Sequence, residues 1–404
     1  MISTDARGKK ASAPATGQNI VRGESLTSIA WKQFRKHQLA RLSLTILAIL
    51  YILAAFADFI APYPERFINT SATFQPPNRI YMRDESGAFS RPFIYPMQKT
   101  IDRETFETVW EEDTSQKLYL DLLVRTSSPR DRYVPFPVNL IPPVLRESLG
   151  ITPWASLHLF GLEDTSSRSR IYLWGSDDLG SDVFGKILFG ARISLTIGIL
   201  ASIVAVIIGM TMGGIAGFFG GWIDEFIMRL IEALSAIPSL FLLLTLSAIF
   251  YPLNLSSSTS FLLVLLALSL IGWGGIARTV RGQILSIRER EFALAAKSLG
   301  ASNLRIIAAH LLPQTISFII VYMSLDIPGY ILAEAGLSFV GLGIQPPSTS
   351  WGLMLSTAQS FAGVNGLAER WWIFIPGLFI FISIITWNLL GDGLRDAFDP
   401  RARK

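Results

Sequence analysis

Apolar residues along this chain come in long unbroken blocks separated by polar stretches. A helix needs about 20 apolar residues to cross the hydrocarbon core of a bilayer. Six blocks reach that length: 42–61, 193–217, 230–251 with Pro238 inside it, 261–277, 315–333 and 372–390. Before the first block, Leu26, Ile29, Ala30, Trp31 and Phe34 recur near helical spacing with Lys32, Arg35 and Lys36 between them. This pattern fits a helix lying on the membrane surface and equally a helical continuation of the first span. The stretch from 62 to 175 has a different texture. Arg79 to Arg83 and Phe89 to Tyr95 flank Asp84-Glu85-Ser86-Gly87, a hairpin signal. Leu118 to Val124 is a further strand candidate. Asp102 caps a short helix predicted over 103–112, and the proline-rich run 134–143 is extended or turn-like.

Lysine and arginine orient the spans. Eight lie in the first 41 residues, and six more (Arg278, Arg281, Arg288, Arg290, Lys297 and Arg305) lie between the fourth and fifth spans. The connection 252–260 carries no charge. Six spans then place both termini and the fourth-to-fifth loop in the cytoplasm, with 62–175 outside. Long loops are exempt from the charge rule. The first span, with its long basic lead and no small-residue cleavage site, reads as an uncleaved anchor. The chain therefore divides into a basic N-terminus (1–41), a first span (42–61), an extracytoplasmic insert (62–175), a five-span core (176–391) with a cytoplasmic loop at 278–313, and a cytoplasmic tail (392–404).

Composition agrees. Of 404 residues, 50% are hydrophobic and only 16% charged, against about 25% charged in soluble domains. The absence of cysteine excludes disulfides, cysteine-ligated metals and a cysteine nucleophile. The net charge of +4 is too small to suggest nucleic-acid binding. His37, His158 and His310 stand in three different contexts, so no metal or catalytic cluster assembles. His158 reads as a packing or surface histidine, and Glu111-Glu112-Asp113 as a solvated face. Gly180, Gly185 and Lys186 have the spacing of a phosphate-binding loop, but Ile187 replaces the required Ser/Thr. No other phosphate loop occurs, so the chain is not expected to hydrolyse ATP itself.

Three features remain. Gly209, Gly213, Gly217 and Gly221 recur every four residues, a spacing that lets helices approach closely in lipid, within the subunit or at a contact between two subunits. Asp326 lies in the fifth span just before Pro328-Gly329. Intramembrane carboxylates are costly, and one beside a proline kink either lines a water-filled path or pairs with a neighbouring helix. The 288–313 stretch reads as a basic helix ending at Gly300, a turn, and a second helix capped by Ser302 or Asn303. Ala295 and Ala296 would present a flat surface to a groove on another protein.

That last stretch resembles the EAA loop of ABC importer permeases. Ala295, Ala296, Gly300, Leu312 and Pro313 match the pattern, while Leu294 replaces its glutamate and His310 an apolar residue. Both departures are similar to the dipeptide, oligopeptide and nickel branch. Gly175-Ser-Asp-Asp-Leu-Gly-Ser-Asp182, Gly220-Gly-Trp-Ile-Asp-Glu225 with Met228-Arg229, Glu334-Ala-Gly-Leu-Ser-Phe-Val-Gly-Leu-Gly343, Gln345-Pro-Pro and Ser350-Trp-Gly352 look like that branch as well. The resemblance covers 20–63 and 171–400. It implies an all-α integral membrane protein, a six-span type I importer bundle with an inserted mixed α/β extracytoplasmic segment, in the inner membrane of a prokaryote. It further implies a homologous second permease, two cytoplasmic ATPase subunits that hold ATP and magnesium, and an extracytoplasmic substrate-binding protein. This chain would bind no cofactor or metal and carry no catalytic residue. Leu294, Ala295, Ala296, Gly300 and Ala301 would face the ATPase. The substrate that the resemblance implies is a di- or oligopeptide, with nickel or an oligosaccharide as alternatives in the branch. A secondary transporter is the rival from another class, but it predicts an inverted repeat that the chain does not display.

Overall fold

The computed structural model describes residues 26–83, 87–101, 103, 108–125, 149–151, 157–162, 169–250, 256–361 and 369–398. The chain opens with a short helix α1 (Leu26–Phe34), followed by α2 (Gln38–Ala55) and a single turn α3 (Ala57–Ile60). Six strands follow: β1 (Tyr81–Arg83), β2 (Phe89–Ile94), β3 (Met97–Ile101), β4 (Thr108–Glu112), β5 (Leu118–Arg125) and β6 (Leu157–Leu162). The rest is helical: α4 (Val183–Phe219), α5 (Gly221–Ser235), α6 (Ser239–Phe250), α7 (Ser257–Ile287), α8 (Glu291–Ser298), α9 (Asn303–Arg305), a π-helical turn (Ile306–Leu311), α10 (Leu312–Phe339), α11 (Trp351–Phe361) and α12 (Ile375–Phe398). Among the described residues, five helices are long and apolar enough to cross a membrane, or six if the bent pair α5–α6 is counted as one span.

The third block is not one straight span. α5 and α6 meet at 79°. Pro238 donates no backbone hydrogen bond, and its ring drives Ile237 out of helical geometry. The chain restarts at Ser239, with Leu242 donating to the Pro238 carbonyl at 3.2 Å. α4, α7 and α10 outrun the apolar blocks that announce them at both ends, whereas α2 stops at Ala55, short of the end of its block. α4 begins ten residues before residue 193, where Asp182 caps it by accepting from the Gly185 N–H at 2.8 Å.

Within the described part of the insert, a single 3-10 turn (Thr70–Ala72) precedes the strands, which form two sheets. One sheet runs β1-β2-β5-β6, and β3 pairs with β4 in a second. The hairpin and the strand near 118 are present as β1–β2 and β5, with 84–86 outside the described residues. The helix predicted over 103–112 is not found in its described second half: Thr108–Glu112 is a strand in register with Met97–Ile101, and 104–107 lie outside the described residues. Thr108, Val109 and Trp110 are β-branched or aromatic and favour that pairing over a local capping signal. Asp102 and 134–143 lie outside the described residues. β6 fastens the sheet to the bundle. His158 is 2% exposed, with Nδ1 2.7 Å from the Ala61 carbonyl, and Phe160 packs on Phe184 of α4.

The main core lies around α4, α7 and the start of α10, with Ile197, Ala205, Ile276, Ile284 and Leu311 fully or almost fully buried. α1 does not lie apart as a free surface helix. Ala30 and Phe34 are buried with Leu390 and Ala397 of α12, while Trp31 stays exposed. The end of the bundle carrying α8 is called the loop end below, and the end carrying the strands the sheet end.

Candidate functional site: the α8 loop and the helix that it grips

The loop is built by two helix stops. α8 closes in a Schellman arrangement, with Ala301 N–H donating to the Ala296 carbonyl at 3.1 Å and Gly300 N–H to Lys297 at 3.0 Å. Gly300 has φ +80°, a left-handed conformation that side-chain-bearing residues resist. Ser302 then leads into α9 without a side-chain cap. The π turn follows, in which Leu312 N–H reaches back five residues to the Ile307 carbonyl. Pro313, next in line, has no N–H to give, so the register shift falls where the ladder is interrupted anyway.

The predicted docking residues divide. Leu294 and Ala295 are exposed, and Gly300 has open space around its α-carbon. Ala301 is half-buried. Ala296 is only 9% exposed and, with Ala293, packs inward on the core; its expected outward placement is thus corrected. Small residues on that face let α8 lie close to the bundle. The apolar surface comes instead from larger residues that sequence reasoning passed over: Leu299 is 88% exposed and Leu304 69%, with Phe292 beside them. Unpartnered leucines of this size on a charged loop are the signal that marks a docking face.

The base of the loop is tied to α4 and α5. Arg281 Nη2 donates to Asp224 Oδ2 at 2.6 Å and its Nε to Oδ1, a bidentate pair. Arg288 Nη1 donates to the last carbonyls of α4, at 3.0 Å to Gly217 and 3.3 Å to Phe218. Gly209, Gly213 and Gly217 face α7 within the subunit. A Cβ on Gly213 would lie 2.4 Å from the Ala277 carbonyl, and one on Gly209 or Gly217 2.7–2.8 Å from Ile276 or Ile284. Gly221 does not extend this stripe: nothing lies within 4 Å of its Cβ position, and its φ of +56° makes it part of the α4–α5 turn.

Two family models match this chain. The binding-protein-dependent transport system inner membrane component matches residues 205–404, and the N-terminal TM domain of oligopeptide transport permease C matches residues 25–77. Among curated relatives, the dipeptide transport system permease protein DppC of Bacillus subtilis is 43% identical over 243 residues, 60% of this chain and 72% of the relative. The chain belongs to the binding-protein-dependent transport permeases. The oligopeptide permease OppC of Haemophilus influenzae is 36% identical over 261 residues, 63% of this chain and 80% of that protein. The glutathione permease GsiD of Pectobacterium atrosepticum is 40% identical over 235 residues, 58% and 74%. This permease is accordingly a multi-pass inner-membrane subunit of an ABC importer. The family models leave 78–204, which includes every strand among the described residues, unmatched.

Inside the permease, Asp326 sits on the helical face that also carries Tyr322 and Tyr330. The two tyrosine hydroxyls occupy notches left by Gly275 and Gly272 of α7. Asp326 Oδ2 is buried without a hydrogen-bond partner among the described residues. Helix α10 continues through Pro328 without ending. A second intramembrane carboxyl is better furnished. Glu334, 0% exposed, accepts from Ser194 at 3.0 Å and from Ser338 at 2.7 Å. Those serine oxygens accept in turn from the Trp351 and Ile344 N–H groups. Ser338 lies one helical turn along the same helix, whereas Ser194 is 140 residues away in sequence, so only the fold completes the circuit.

The sheet end closes on Asp177, Asp182 and Lys186. Asp177 pairs with Lys186 and accepts from the Leu179 and Ser181 N–H groups. Gly180 turns there at φ +70°, with the Asn69 carbonyl where a Cβ would be. The phosphate-loop spacing is thus a packed turn followed by a helix cap. Burial pushes the Asp182 carboxyl up to about 7, against the opposing pull of N–H groups from Gly185 and Phe184. Burial also raises Glu65, which accepts from Thr349 N–H at 3.0 Å. A cavity of about 640 Å³ opens here between Glu65, Asp178, Lys186 and Met354. No group of three metal-ligating side chains occurs among the described residues.

Proposed function

We propose that this permease imports di- or oligopeptides, converting ATPase motion at the α8 loop into alternating access. Support comes from the relatives, whose names specify dipeptide, oligopeptide and glutathione transport, and from the exposed leucines of a loop otherwise well anchored. The loop end and both termini face the cytoplasm, where Leu294, Ala295, Leu299 and Leu304 meet an ATPase subunit. ATP and magnesium reside on two such subunits, and no cofactor is held by this chain. A homologous permease completes the pathway, and a binding protein delivers substrate to the sheet end. The 62–175 insert is placed there to meet that protein or the partner permease. Asp326 is assigned to the translocation path, uncovered when α7 and α10 separate. Nickel or an oligosaccharide is the alternative cargo. Motion of this kind is a rigid-body swing between packed states.

Reconstitution in proteoliposomes with the second permease, the ATPases and the binding protein tests the reading. Labelled di- and tripeptides are expected to accumulate only with ATP and binding protein present. Uptake of peptide without nucleotide would favour a secondary transporter. ATP-dependent uptake of nickel alone would reassign the cargo.

A further inference from the structure

Helix α4 reaches from one end of the bundle to the other. Its 37 residues span about 55 Å at about 1.5 Å per residue. At the loop end it is held from two directions. α7 lies against Gly209, Gly213 and Gly217, and the limb after α8 lies against Gly214, where Leu312 and Ile307 come within 3.1 and 3.2 Å of a Cβ position. Residues on both sides of α8 in sequence therefore touch one helix. The tip of α4 is also tied by charge. Arg288 closes its last carbonyls, and the Arg281–Asp224 pair holds the first turn of α5 just past Gly220 and Gly221.

The two kinds of contact differ mechanically. Apolar packing resists compression, but a gap of about 0.5–1 Å already forfeits a quarter to a half of its attraction. A bidentate, charge-assisted pair resists separation as well. A loop that must both push and pull its helix needs the second kind.

We propose that Arg281, Asp224 and Arg288 form a transmission clasp: positioning residues that carry displacement of the docked α8 loop into α4 and α5. The inference rests on the α8 loop being the ATPase-docking element. α4 then acts as a connecting rod. Its far end bears Ser194, bonded to Glu334, and the Ile187 carbonyl, which accepts from Trp351 Nε1 at 3.0 Å. Movement at the loop end thereby reaches the sheet end through one continuous helix.

The test uses the complete reconstituted importer carrying Arg281→Gln, Asp224→Asn or Arg288→Gln. ATPase co-purification, ATP hydrolysis and peptide uptake are measured on each. The clasp predicts co-purification and hydrolysis within two-fold of wild type, and uptake per ATP reduced at least ten-fold. A merely structural role would lower assembly and leave the ratio of uptake to hydrolysis unmoved. Arg281→Lys keeps the charge and the aliphatic stem but loses the fork, and is expected to assemble with an intermediate ratio. Wild-type uptake per ATP in Arg281→Lys, or in both Arg281→Gln and Arg288→Gln, overturns the clasp. Absence of ATP-dependent uptake in the wild-type complex overturns the importer reading instead.

Discussion

The two ends of α4 are secured by different chemistry. At the sheet end, buried and half-buried polar groups pair with one another: Glu334 with Ser194 and Ser338, Trp351 with Ile187, Asp177 with Lys186, and Arg192 with Asp58 and the Ala54 and Ala55 carbonyls. At the loop end, glycine-backed helix contacts carry the load, and the charged ties are partly exposed; the Arg281 side chain retains 33% of its accessible surface. Beside them lie the uncovered leucines of the α8 loop. Buried polar circuits fix one arrangement, because moving any member strands another. Smooth small-residue contacts permit closer approach and sliding. The difference teaches that the sheet end holds its geometry while the loop end is where a partner can act.

Two substitutions sharpen this contrast, and the larger effect belongs to the loop end. Gly213→Leu places a branched side chain where the Ala277 backbone already stands, so α4 and α7 must part. Destabilisation of about 3 kcal/mol or more is expected, since overpacking at backbone contact exceeds the usual range. Yield of membrane-inserted protein and thermal unfolding in detergent should both fall sharply, and a wild-type melting curve would show that the helices do not depend on that contact. At the sheet end, Glu334→Ala orphans two serine hydroxyls. A loss of about 1–3 kcal/mol is expected, with part of it recovered in Glu334→Gln, whose single amide oxygen still accepts from one of the two serines. Equal stability of all three proteins in thermal unfolding would remove the circuit from the account.

Much of this was legible beforehand. The spans announce themselves because a bilayer demands long apolar runs, although hydropathy marks only the apolar middle of each helix and so missed the start of α4 at Val183. Gly300 was readable because a helix stop needs a left-handed residue. Other features depended on contacts that no local pattern encodes. Ala296 looked like surface but turns inward, because only neighbouring helices decide which face of α8 is free. Asp326 stands out in the sequence as a charge in an apolar run, while Glu334 is the better-bonded carboxyl because the fold brings Ser194 to it. Strand β4 defeated a helix-capping signal through pairing with β3. Pro238 is legible inside the third span, yet the size of the 79° break is not.

The central claim is that the α8 loop passes ATPase work into the bundle, and Gly300→Pro addresses it most directly. Proline is confined to φ near −65° and cannot take the +80° of Gly300, nor donate to Lys297. The measurement is ATP-dependent peptide uptake by the reconstituted complex, with membrane insertion and ATPase co-purification followed in parallel. The account predicts normal insertion with loss of ATPase association or of uptake. Wild-type uptake by the proline variant would contradict it.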